Sequence, residues 1–164
     1  MDKFDVLRKY FGYSSFRKGQ EEMVDCLLSG RDALGIMPTG AGKSICYQVP
    51  AIMFSGITIV VSPLISLMKD QVNALVQQGV KAAYINSSLT DTQYDKVLKN
   101  AALGNYKIIY VAPERLDSVG FINLCRRIKI SMVAVDESHC VSQWGQDFRP
   151  SYLNINKFIS ILPN

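Results

Sequence analysis

A chain of 164 residues is long enough for one domain with a single core. It is 48% hydrophobic and 20% charged, and no apolar run nears the ~20 residues of a membrane-spanning helix, so no membrane partner is expected. The net charge of +4 permits a polyanionic partner without requiring one, and four scattered cysteines with a single histidine argue against zinc and for reduced thiols.

The first 30 residues read as helical, with a turn at Gly12-Tyr13-Ser14-Ser15. Met23, Val24, Leu27 and Leu28 share one helix face, and Gly30 is placed to end it. This segment, 1–30, stands ahead of a main domain, 31–164. Five short β-branched, apolar stretches follow at 32–37, 57–61, 82–85, 107–111 and 132–136. Between them the period is helical: Leu64, Leu67, Met68, Val72, Leu75 and Val76 line one face. Strands alternating with helices predict an α/β fold, a parallel sheet with helices on both faces. The near-continuous run Ile57-Thr58-Ile59-Val60-Val61 suits a strand buried on both sides.

Directly after the first predicted strand comes Thr39-Gly40-Ala41-Gly42-Lys43-Ser44. Glycines let backbone N–H groups approach phosphate oxygens, and a helix starting near Lys43 adds the positive end of its dipole. The pattern G-x-x-x-x-G-K-[ST] is met except at its first glycine, where Met37 stands. Lys43 is expected to reach the outer phosphates of a nucleoside triphosphate, and Ser44 to ligate Mg2+. Met132-Val133-Ala134-Val135 then leads to Asp136 and Glu137. At the carboxyl edge of the sheet, Asp136 is expected to hold Mg2+ through water, and Glu137 to orient the attacking water. Lys43, Asp136 and Glu137 are thus the predicted catalytic set. His139 has no nucleophile beside it in sequence and reads equally as a nucleotide sensor, a link to the next loop, or packing.

Asp136-Glu137-Ser138-His139 behind such a loop resembles the D-E-x-H box of superfamily II helicases, and the surrounding blocks resemble the RecQ family of DNA helicases. Phe16-Arg17-Lys18-Gly19-Gln20 is similar to motif 0 of that family. Met37 to Ser44 is similar to motif I, in which the missing first glycine is usual. Val61 to Gln71 is similar to motif Ia, and Ala112-Pro113-Glu114-Arg115-Leu116 to motif Ib. His139 to Pro150 is similar to the aromatic-rich loop that marks the family.

The resemblance implies a RecA-like P-loop NTPase domain using ATP and Mg2+, and unwinding of DNA with 3′→5′ polarity. Tyr13 and Arg17 would sandwich adenine and Gln20 would bond its edge, which suits an aromatic face, a guanidinium plane and an amide. Trp144 and Phe148, with His139, Gln143 and Arg149, would couple single-stranded or partly duplex DNA to hydrolysis. Without the resemblance, Trp144 and Phe148 would read as loop core. Ser62, Lys69 and Arg115 are weaker candidates for backbone phosphates. The expected location is the cytoplasm with the nucleoid, or the nucleus of a eukaryotic cell. No Thr-Ala-Thr-like motif III follows the acidic box, so the domain is expected to be truncated at its C-terminal end and completed by a second RecA-like domain. The rivals are a superfamily II RNA helicase and a non-catalytic nucleotide-dependent binding module.

Overall fold

In the computed structural model, which describes residues 1–35, 42–63, 65–136 and 155–162, four parallel strands make one sheet. They are β1 (Ile57–Val61), β2 (Ala82–Ile85), β3 (Ile108–Val111) and β4 (Ile130–Val135), in the order β2-β3-β1-β4. Helices α4 (Ile65–Gln77), α5 (Asp91–Ala102) and α6 (Val119–Arg127) form the crossovers. Helix α3 (Ile45–Met53) precedes β1, and α7 (Ile155–Ser160) follows the last strand.

Alternation along the strands divides the core in two. Ile57, Ile59, Val61, Ile109 and Val111 face Phe121, Leu124 and Cys125 of α6 and Phe158 of α7. Val60, Ile108 and Tyr110 face Ala51 of α3 and Met68, Val72 and Leu75 of α4. Val61 and Val111 have no exposed surface, as expected of strands covered on both sides. Among the described residues, Thr58 Oγ1 is buried in this core without a hydrogen-bond partner.

The N-terminal segment is helical, as its sequence predicts. Helix α1 (Lys3–Val6) runs into a π-helical stretch over Leu7–Phe11, closed by Gly12 at φ +75°. Helix α2 (Gln20–Leu28) ends with Gly30 at φ +84°, where Gly30 N–H bonds Leu27 O and Arg31 N–H bonds Cys26 O. A third apolar cluster, Val6, Leu7, Val24, Ile45 and Val49, joins α1 and α2 to α3.

One predicted strand, 32–37, is not found among the described residues. Residues 32–35 are not in the sheet, and 36–37 lie outside the described residues. Ala33 and Gly35 bring little apolar surface to a ladder, and Leu34 is 79% exposed. The half-exposed strand β4 therefore has a neighbour on one side only among the described residues. A cavity of about 640 Å³ lies between it and Met23 and Leu27 of α2.

Candidate nucleotide site

Parallel strands bring all their carboxyl ends to one edge, and the site is assembled there. Asp136 follows β4 directly. Its N–H donates to Val61 O at 2.9 Å, extending the ladder by one bond, and the residue is only 7% exposed. Gly42 and Lys43 lead into α3, whose first turn closes through Ile45 N–H to Gly42 O (3.2 Å) and Cys46 N–H to Lys43 O (3.1 Å). The result is Lys43 Nζ 3.5 Å from Asp136 Oδ1, a contact across 93 positions of sequence.

Gly42 has a physical reason to be glycine. Its φ is +75°, and a Cβ there would lie 2.6 Å from Nε2 of Gln20. That amide donates to Gly42 O at 2.9 Å, while Gln20 Oε1 accepts from the Arg17 N–H at 2.7 Å. Gln20 is 2% exposed, so a residue predicted to meet adenine also fastens its own turn to the end of the phosphate loop.

Behind the Lys43–Asp136 pair lies a buried polar cluster. Tyr110 Oη donates to Gln71 Oε1 at 2.7 Å and accepts from Gln48 Nε2 at 3.0 Å. The Tyr47 and Tyr110 hydroxyls are 3.1 Å apart, and Gln48 Nε2 also donates to Gln71 Oε1 at 3.2 Å. Burial first, then the Tyr110 and Asp136 charges, hold the Tyr47 phenol well above its usual value. Burial pushes Tyr110 up to about 12. Both phenols therefore stay protonated and can donate at neutral pH. The cluster ties α3, α4 and β3 together at the site's floor. Sequence reasoning missed it, although one signal was present. Gln71 stands in a core-facing register with Met68, Val72 and Leu75 at i, i+3, i+4 and i+7.

The residues present fit the groups expected of them. Ser44 makes no side-chain cap for α3, and with Asp136 it supplies the hard oxygen donors that Mg2+ takes. Lys43 supplies the cation for a phosphate chain. Tyr13 is 49% exposed, and Arg17 is exposed beside the turn that Gln20 closes. Thr39, Gly40, Ala41, Glu137, His139, Gln143, Trp144, Phe148 and Arg149 lie outside the described residues. Of the weaker candidates, Lys69 is exposed on α4 and Arg115 lies 5.2 Å over the Tyr94 ring. Ser62 is 2% exposed with its N–H bonded to Val111 O, which suits a structural role better than contact with DNA.

A parallel α/β sheet with a Gly-Lys-Ser helix start facing a strand-end aspartate defines a P-loop nucleotide-binding domain. A sequence profile of DEAD/DEAH box helicases matches residues 17–163, and the chain belongs to that family. Within it, the chain is 52% identical over 160 residues to ATP-dependent DNA helicase RecQ of Pasteurella multocida, covering 98% of this chain and 25% of that protein. It is 54% identical over 151 residues to the RecQ helicase of Bacillus subtilis, covering 92% of this chain and 26% of that one. It thus spans about a quarter of these relatives' length. A solved structure of a hypothetical ATP-dependent RNA helicase from Sulfolobus tokodaii superposes with a TM-score of 0.66 over 97% of this chain and 45% of its own, at 18% identity. The fold is therefore the RecA-like fold of helicases.

Proposed function

We propose that these 164 residues form the ATP-binding half of an ATP-dependent DNA helicase, with residues 1–30 serving as its adenine-recognition segment. Unwinding, 3′→5′ in direction, belongs to the longer protein. The observation that carries the reading is the 3.5 Å approach of Lys43 to Asp136 at the carboxyl edge of the sheet. Identity to RecQ helicases supports DNA over RNA as the polymer.

In this reading Lys43 holds the β- and γ-phosphates, and Ser44 and Asp136 hold Mg2+, the latter through water. Bound Mg2+ supplies neutralising charge at the phosphate oxygens. Glu137 positions water and accepts its proton. Tyr13, Arg17 and Gln20 take adenine. His139, Gln143, Trp144, Phe148 and Arg149 link hydrolysis to single-stranded or partly duplex DNA. A second RecA-like domain supplies the other wall of the cleft, and its closing and opening convert hydrolysis into translocation. The 164-residue chain alone hydrolyses ATP very poorly on this account.

The test is phosphate release by the longer protein with single-stranded DNA, RNA or neither. DNA should stimulate release more than RNA does, and Trp144→Ala should abolish the stimulation while nucleotide still binds. Stimulation by RNA alone would favour an RNA helicase. Tight ATP binding with no turnover would favour a non-catalytic module.

A further inference from the structure

The opposite edge of the sheet carries a second charged feature that the nucleotide site does not use. Strands β2, β3 and β4 are each preceded immediately by a lysine: Lys81, Lys107 and Lys129. The ladder holds these residues level, through Lys107 N–H to Lys81 O (2.7 Å), Thr58 N–H to Lys107 O (3.0 Å) and Ile57 N–H to Lys129 O (2.9 Å). Neighbouring strands lie about 4.8 Å apart, so the three lysines form a row across the amino edge. They line a cavity of about 520 Å³ together with Arg127 at the end of α6 and Tyr106.

Three observations make this more than scattered surface charge. Lys107 Nζ donates to Phe54 O and Lys129 Nζ to Ser55 Oγ at 2.7 Å, so two ammonium groups meet consecutive residues of one turn. Among the described residues no carboxylate lines the cavity, and none of the four cations there has a salt bridge. The turn itself is shaped for close approach. A Cβ on Gly56 would lie 2.6 Å from Lys129 O and 3.0 Å from Lys129 Cγ, so the lysine stem lies against bare backbone. Like charges gathered without a counter-charge repel, and an anion seated among them removes that cost.

We propose that this amino-edge cavity is a second nucleic-acid site, taking the phosphate backbone of a single strand on Lys81, Lys107, Arg127 and Lys129. A row of cations suits a chain of phosphates better than one isolated anion. The strands between this edge and the nucleotide site are four to six residues long, so the two sites are about 13–20 Å apart. The site goes beyond the helicase reading, and its test does not depend on ATP turnover.

The experiment is anisotropy of fluorescein-labelled dT20 titrated with the 164-residue protein at 25–200 mM KCl, without nucleotide. The variant is Lys81→Gln/Arg127→Gln/Lys129→Gln, all three exposed side chains. Each lost phosphate contact on a single strand removes about 0.7 from the slope of log K against log salt, so the slope should flatten by about 2 and binding at 50 mM should weaken about tenfold. The charge-keeping variant Lys81→Arg/Arg127→Lys/Lys129→Arg should restore both. An unchanged slope in the Gln variant, no restoration by the Arg/Lys variant, or no binding of dT20 by the unsubstituted protein would each overturn the proposal.

Discussion

The two ends of one sheet use charge in opposite ways. At the carboxyl end, Lys43 faces Asp136, and the polar groups beneath them are buried and bonded to one another. At the amino end, four cations line one cavity with no acid among the described residues. The first arrangement fixes geometry: each atom has a set partner, and a small displacement breaks several bonds. The second gathers potential: no single position is decisive, and the contributions accumulate. Substitutions at the carboxyl end should therefore act singly and strongly, whereas those at the amino end should act weakly and together.

The strongest break in that contrast comes from Lys43→Ala. Removing one preorganised charge from a phosphate site should lower ATP turnover by about 10²–10³-fold or more in the longer protein, as measured by phosphate release. The salt dependence of dT20 binding should not change, because the amino edge is untouched. If both moved together, the two ends would be one electrostatic unit.

A middle-sized effect is expected from Tyr110→Phe, which removes the hub of the buried cluster. Gln48 and Gln71 lose a partner, so urea unfolding should show a loss of about 1–3 kcal/mol. The pH dependence supplies a second reading. The folded-state value of about 12 lies above the ordinary 10, so the proton is held more tightly in the folded protein. The stability this adds is fully present below pH 10 and is lost as pH climbs toward 12. The Phe variant should lose less stability than the parent across that window.

The smallest effect should be a gain. Thr58→Val replaces the unpartnered hydroxyl of β1 by a methyl group, and a melt should show stabilisation of about 1 kcal/mol. The substitution leaves the backbone bond from Thr58 N–H to Lys107 O in place and should alter neither site.

Much of this was readable in the chain. Strands at 57–61 and 82–85 stand where their apolar runs put them, and the one at 107–111 starts a residue later. The run at 132–136 was read two residues late. Ile130 already pairs with Ile57, Ser131 is passed over where the register shifts, and Asp136 sits just beyond the strand. Lys43 and Asp136 could be brought together on paper because each follows a predicted strand, and parallel strands end at one edge of a sheet. Residues 32–35 of the predicted first strand lie outside the sheet, where Ala33 and Gly35 offer little apolar surface to a ladder, and 36–37 lie outside the described residues. The polar cluster was out of reach for another reason: Tyr47, Gln48, Gln71 and Tyr110 come from three elements, and only the packed fold makes them neighbours. The lysine row was hidden likewise, since Lys81, Lys107 and Lys129 align only once the register is known.

The tie between Gln20 and Gly42 has a practical consequence for anyone trimming the chain. Residues 1–30 look detachable on paper, an appendage before the nucleotide-binding domain. Yet Val6, Leu7 and Val24 cover Ile45 and Val49, and Gln20 supplies the donor that Gly42 O accepts. A version starting near residue 31 would present an uncovered apolar face on α3. On expression it should aggregate more than the intact chain does.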